Sequence, residues 1–180
     1  MKVAQTAIEG CLLVTPDVFG DARGSFQELF HAGRYADEGV PNSYVQDNFS
    51  TSSRGILRGL HFQTRHAQGK LVQVLHGRVF DVCVDIRPDS PTRGQVVTVT
   101  LDAAEPRQFY LPPGCAHGFY VLSERAHFFY KCSDFYDASS EKTLLWNDPK
   151  LGIDWPLEGE PTLSAKDKQG LTYDEIVADS

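Results

Sequence analysis

Basic charge is scarce in this chain. Lys and Arg number 17 against 24 Asp and Glu, for a formal net charge of −7 at pH 7, and no Lys/Arg run breaks the sequence. A general affinity for nucleic acid or anionic membrane is thereby excluded, so any anion site must be local. Long apolar stretches are also missing: no run approaches the ~20 residues of a membrane-spanning helix, and the segment Met1 to Thr6 has no apolar signal-peptide core. The expectation is a cytoplasmic protein with no membrane partner. Cysteine is sparse, at positions 11, 83, 115 and 132 with no Cys-x-x-Cys pair, so the thiols read as buried and free. A nucleophile at Cys115 or Cys132 would need an activating neighbour, and the sequence around them offers none. Neither a dinucleotide glycine fingerprint nor a Walker motif is present, which removes the common nucleotide-cofactor folds.

What is there is β-structure. A chain of 180 residues makes one domain, 1–180, with a core large enough to need no disulfide or structural metal. From Lys70 onward short β runs follow one another: Leu71 to Leu75, Val79 to Ile86, Gln95 to Leu101, Gln108 to Leu111, Phe119 to Leu122 and His127 to Phe135. The breaks between them, such as His76-Gly77, Pro88 to Gly94 and Pro112-Pro113-Gly114, are strong turn chemistry. Strands at this spacing without intervening helices predict an all-β antiparallel fold, best fitted by a double-stranded β-helix, the cupin jelly roll. Helices are expected only at the periphery, one near Gly33 to Gly39 and a short one after a Ser164 cap.

The most informative stretch is Gly55 to Gln63 followed by Gln68-Gly69-Lys70-Leu71-Val72. It sets Arg58, His61 and Lys70 on short glycine-separated strands, where three nitrogen groups can point into one apolar-walled cavity. Such a cavity suits an anionic, oxygen-rich ligand. Among these groups His61 is the candidate general base, because an unperturbed imidazole accepts a proton near neutral pH. Alternation in Phe128 to Cys132 puts Phe128, Tyr130 and Cys132 on one strand face and Phe129 and Lys131 on the other.

The chain resembles the dTDP-4-dehydrorhamnose 3,5-epimerases of deoxysugar biosynthesis from about Phe19 to about Asp167. The resemblance rests on Arg58-Gly59-Leu60-His61-Phe62-Gln63, on Phe80 to Arg87 and on Ala116-His117-Gly118-Phe119. It too implies the cupin fold, and it implies work without metal or cofactor. Many cupins hold a metal through a His-x-His pair and a later His after Pro-x-Gly. Here Pro113 to His117 is similar to the second element, but position 63 is Gln, and a neutral amide is a poor transition-metal ligand. His66 is the nominal alternative.

The resemblance also assigns roles. Asp167 is implied as the partner of His61, Tyr130 as the proton donor, and Lys70 as the cation at the carbonyl oxygen. Arg23 and Arg58 match pyrophosphate-binding positions, and guanidinium geometry suits phosphate oxygens. Glu28, Gln46, Asn48, His117, Glu141 and Lys166 match further substrate contacts, Tyr136 a tyrosine that stacks on thymine, and Phe19 an added apolar face. The implied reaction is epimerisation of dTDP-4-dehydro-6-deoxy-D-glucose at C3 and C5. Departures at Asp21-Ala22 and Ser25 fall near the nucleotide positions. The apolar runs Cys11 to Val14 and Phe26 to Phe30 exceed what one small jelly roll needs in its own sheets. With the resemblance they imply a homodimer in which residues near Phe19 and Arg23 reach the partner's site. A single-carbon epimerase of a related sugar, a non-catalytic sugar-nucleotide-binding cupin and a metal-dependent cupin stand as alternatives.

Overall fold

The computed structural model describes residues 1–179. Two antiparallel sheets face each other as a jelly roll. The first has six strands in the order β1 (Lys2–Gln5), β2 (Leu12–Thr15), β10 (Gln108–Leu111), β7 (Lys70–His76), β12 (Arg125–Cys132) and β5 (Gln46–Ser53). The second has five, in the order β13 (Glu141–Thr143), β6 (Leu57–Gln63), β11 (Cys115–Val121), β8 (Arg78–Asp85) and β9 (Val96–Asp102). A separate hairpin is formed by β3 (Val18–Asp21) and β4 (Gly24–Gln27). The fold is the expected all-β cupin jelly roll, and among the described residues no helix is long and apolar enough to cross a membrane.

The period-2 alternation of the strands decides what each sheet shows the other. On β8 the side chains of Val79 and Cys83 join the inner core with Phe119, Phe128, Val72 and Phe109, while Val82 and Val84 face outward into a second cluster. The Phe119 and Phe128 rings stack at 4.2 Å between centroids. Burying a side chain such as Phe128, 1 % exposed, stabilises by about 1.5–3 kcal/mol. The outward cluster is covered by the C-terminal segment through Leu144, Leu151 and Ile176. On the other sheet, Leu12, Val14, Leu71 and Tyr110 are covered by Tyr35 and Val40 from the N-terminal segment. Each outer face therefore has an apolar cover over part of its strands.

Two close approaches shape the site. Gly59, at φ +121°, sits so close to β11 that a Cβ there would lie 2.5 Å from the Gly118 Cα and 2.7 Å from the His117 carbonyl oxygen. A Cβ on Gly118 would meet the Arg58 carbonyl oxygen at 2.5 Å. Only glycine at both positions lets the strands pass, and the register shifts locally between His117 and Phe119.

The helical expectations are met in part. α1 (Ala32–Asp37) lies where a helix was expected, but its cap is His31, whose side chain accepts from Arg34 N. After Ser164 only a 3₁₀ turn forms, Asp167–Gln169, with Ser164 Oγ accepting from Asp167 N at 3.1 Å. The helix that does form there is α2 (Tyr173–Ala178), opened by a Thr172–Glu175 capping box. That Thr-x-x-Glu spacing was readable in the sequence. The run Cys11 to Val14, more than one small jelly roll needs in its own sheets, is accommodated within the chain: β2 pairs with β1 and β10, and Cys11 and Val14 are fully buried. Filling the sheet this way hides its apolar side chains and satisfies its backbone at once. All four cysteines are free and buried. Burial drives the Cys83 and Cys132 thiols above their usual pKa, so neither is a thiolate.

Candidate active site

The inner faces of the two sheets are apolar at one end and polar at the other. At the polar end lies a cavity of about 230 Å³ lined by His61, Gln63, Lys70, Tyr130, Gln46, Asn48, Tyr136 and Glu141, with Phe62 and Gln68. Alternation on β6 turns Leu60 and Phe62 into the outer cluster and leaves His61 on the cavity side. Tyr130 and Lys70 come from β12 and β7 of the facing sheet, where Cys132 is paired to Lys70 and Tyr130 to Val72. An imidazole thus stands on one wall, with a phenol and an ammonium on the other.

His61 meets its partner across the chain. Its Nε2 lies 2.5 Å from Asp167 Oδ1, and Asp167 is 2 % exposed. Burial alone would raise the Asp167 pKa. The hydrogen bond and charge of His61, the Ser164 hydroxyl and Lys166 outweigh it and hold the carboxyl below its usual range. An ionised carboxylate only accepts, so Nε2–H donates to it and Nδ1 keeps the lone pair that can take a proton.

Tyr130 is held as a neutral phenol. Burial pushes its pKa up to about 12, with Cys132 adding to the rise and the charge of Arg58 opposing it. Lys70 is affected in the opposite sense, because desolvation lowers its pKa against the pull of Cys132, Glu141, Cys83 and Asp81. No carboxylate within ion-pair distance of Lys70 is found among the described residues. A poorly solvated cation without a counter-ion attracts an anion or a developing oxyanion.

A second histidine–aspartate pair was not anticipated. His117 Nε2 lies 3.0 and 3.1 Å from the two oxygens of Asp81, and burial raises the Asp81 pKa against His117 and Lys70. His117 is 7 % exposed and its ring lies beside Phe128. It borders the site from within, as a member of the inner layer rather than of the cavity lining. The signal for Asp81 was present in the sequence: alternation along Phe80 to Arg87 puts an acid on the inner face of an apolar strand.

Around the mouth, Glu141 Oε2 accepts from Tyr136 Oη at 2.9 Å and from Lys166 Nζ at 2.8 Å. Burial would raise the Glu141 pKa, but these bonds and the nearby His61 charge keep it low. Gln46 Nε2 donates to Asn48 Oδ1 at 3.0 Å. Arg58 is fixed through Nε to Ser52 Oγ at 3.0 Å. Its charge is felt at Tyr130, although its side chain is not part of the cavity wall.

Three expected residues are elsewhere. Phe19 and Arg23 sit on the β3–β4 hairpin, exposed, with Arg23 paired to Asp21. Glu28 pairs with Arg34 beside a separate cavity of about 500 Å³ that Phe19 and Phe26 also line. Within one chain these residues do not join His61. His66, the nominal metal alternative, lies on an exposed turn 3.4 Å from Asp134. Gln63, at the position where a cupin ligand would stand, has its amide taken up by backbone groups: Nε2 donates to His66 O at 2.7 Å and Oε1 accepts from Asp137 N at 3.0 Å.

This arrangement sets an imidazole on one wall of a small cavity against a phenol and an ammonium on the facing wall, groups of a kind suited to moving protons on a carbon acid. Comparison with known proteins shows the family. The sequence pattern of a family described as dTDP-4-dehydrorhamnose 3,5-epimerase matches residues 5–175. The dTDP-4-dehydrorhamnose 3,5-epimerase of Pseudomonas aeruginosa is 52% identical over 174 residues, covering 96% of each chain. A dTDP-4-dehydrorhamnose 3-epimerase of Streptomyces niveus is 40% identical over 177 residues, covering 97% of this chain and 85% of that one. The crystal structure of dTDP-6-deoxy-D-glucose-3,5-epimerase from Legionella pneumophila, in complex with dTDP-4-keto-L-rhamnose, superposes with a TM-score of 0.95 at 49% identity, over 99% of this chain and 95% of that one. With fold, site geometry and relatives in agreement over nearly the whole length, the chain belongs to the dTDP-4-dehydrorhamnose 3,5-epimerase family.

Proposed function

We propose that the protein epimerises dTDP-4-dehydro-6-deoxy-D-glucose at C3 and C5 to dTDP-4-dehydro-L-rhamnose, in the cytoplasm, with His61 as base, Tyr130 as acid and Lys70 at the C4 oxygen. The observation that carries the reading is the placement of His61 and Tyr130 on facing sheets. Removing a proton next to a ketone moves its electron pair onto the ketone oxygen, where Lys70 stabilises the charge. Inversion then requires a proton from the other face, and a phenol whose pKa burial pushes up to about 12 stays protonated and can donate it throughout the working range. Asp167 orients His61 and stabilises the imidazolium that forms. Arg58, Lys166, Glu141, Gln46, Asn48 and Tyr136 hold the nucleotide and sugar around the mouth, and His117 supports the inner wall.

Proton NMR of the substrate turned over in deuterated water, with EDTA present, tests this reading, because loss of the C3 and C5 signals reports each deprotonation separately. Loss of only one signal would reduce the activity to that of a single-carbon epimerase. Absence of exchange would leave a binding protein. The same assay on Tyr130→Phe is expected to keep exchange at one or both carbons while giving an incomplete or altered epimer ratio. A wild-type product distribution would remove Tyr130 from the donor role.

The exposed hairpin supports assembly. Val18, Phe19 and Phe26 on it are 46, 64 and 69 % exposed, and Phe49 on the edge strand β5 is 58 % exposed. Apolar side chains so displayed favour burial against a second copy. In that homodimer Phe19, Arg23 and Glu28 serve the partner's cavity. Light scattering is expected to give twice the chain mass. Mixing Arg23→Ala with His61→Ala subunits should restore about a quarter of wild-type activity after exchange, since half the dimers then hold one complete site. A fully active monomer, or mixed dimers without recovery, would refute shared sites.

A further inference from the structure

Three glutamine side chains grip one short piece of backbone at the cavity mouth. Gln46 Oε1 accepts from Tyr136 N at 3.0 Å. Gln63 Oε1 accepts from Asp137 N at 3.0 Å, and its Nε2 reaches Phe135 O at 3.3 Å. Gln68 Nε2 donates to Asp134 O at 2.8 Å. Every residue of the loop 134–137 therefore has a main-chain group held by a glutamine.

The anchors come from both sheets. Gln46 opens β5, Gln63 closes β6, and Gln68 lies just before β7, so the loop is tied to both cavity walls. The loop presents two aromatic side chains that are largely in solvent, Phe135 at 64 % and Tyr136 at 53 % exposure. Apart from the Tyr136 Oη bond to Glu141, the grip on them is on the backbone beneath. Amides suit this task because each offers a donor and an acceptor without a charge. A carboxylate would repel an anionic ligand, and an ammonium would compete with Lys70 for it.

We propose that Gln63 and Gln68 are positioning residues for the nucleotide end of the substrate: by clamping the 134–137 loop they preset the Tyr136 ring, and so act on binding rather than on proton transfer. This inference rests on the nucleotide-sugar reading of the site. A ring already in place loses less conformational freedom when the base stacks on it, and that saving appears in affinity. Gln63, 8 % exposed, also holds His66 O and so steadies the strand end that bears His61. Among the described residues the Gln68 amide hydrogen-bonds only to the loop, at Asp134 O, which makes it the cleaner probe.

The test uses Gln63→Met and Gln68→Met, each alone and combined with Tyr136→Ala, with steady-state kinetics and calorimetric titration of dTDP. Both single variants are expected to raise KM and the dTDP Kd by about 3–30-fold with kcat within about 2-fold, the pattern of lost uniform binding. In the Tyr136→Ala background the glutamine changes should have no further effect, since they work through that ring. Glutamine variants with wild-type KM beside a Tyr136→Ala protein that has lost dTDP affinity would overturn the clamp alone. A Tyr136→Ala protein that binds dTDP normally would overturn the nucleotide role of Tyr136 and the clamp with it. Additive effects in the double variants, or a fall in kcat at unchanged KM, would also refute the proposal. If Gln63→Met does not fold, Gln68→Met decides the matter by itself.

Discussion

His61→Ala is expected to fold and to lose nearly all exchange of the C3 and C5 protons, a deficit of about 10²–10⁴-fold. The fold should survive because the His61 side chain is 25 % exposed at the cavity and its strand is held by β11 and β13 through the backbone. The rate should not survive, because among the described residues no other imidazole lines the cavity: His117 is committed to Asp81 in the inner layer. The loss also strands Asp167, whose carboxyl is kept low in pKa chiefly by His61 once burial is set against it. Without that partner Asp167 should take up a proton at higher pH than in the wild-type protein. Deuterium exchange by NMR together with a thermal melt checks both halves. Exchange near the wild-type rate would overturn the assignment of the base.

Lys70→Met carries the second large effect, and its signs in activity and stability are opposite. Removing a donor aimed at a developing oxyanion typically costs about 10²–10³-fold in kcat. Replacing a desolvated cation that lacks a carboxylate partner with a methionine of similar length removes a burial penalty, so the melting temperature should hold or rise. The pH dependence follows from the lowered pKa. The charged form that stabilises the oxyanion is full below the folded pKa and is lost as pH rises through it, so the alkaline fall in kcat begins below the ordinary lysine value of 10.5. Across that same window the unfolded chain binds the proton more tightly than the folded one, and wild-type stability increases with pH. Lys70→Met should show neither trend. A variant that loses stability but keeps kcat would make Lys70 structural.

The two effects trace back to different kinds of information. That His61 and Tyr130 each face inward follows from period-2 alternation in Leu57–Gln63 and Arg125–Cys132, which is local and visible in the sequence. The same rule placed Asp81 inward, although its pairing with His117 needed β8 and β11 to lie side by side. The α2 cap was legible in Thr172 and Glu175, whereas the 3₁₀ turn that carries Asp167 has no comparable pattern. The place of Cys11 to Val14 was not legible, because strand composition says that a segment is apolar, not which sheet has room for it.

By itself the sequence determined the β-rich class, the turns, the side of each strand that is buried, and, through its long motifs, the family. These are properties of neighbours along the chain, set by the geometry of the pleat and by turn stereochemistry. Only the tertiary structure decided that Asp167 reaches His61 from 106 residues away, that Lys70 is desolvated without a counter-ion among the described residues, that three glutamines converge on one loop, and that Phe19, Arg23 and Glu28 stand apart from the cavity of their own chain. Each depends on how two sheets and the segments crossing them come together. Desolvation and hydrogen bonding between distant residues arise from that packing, and no local pattern encodes them.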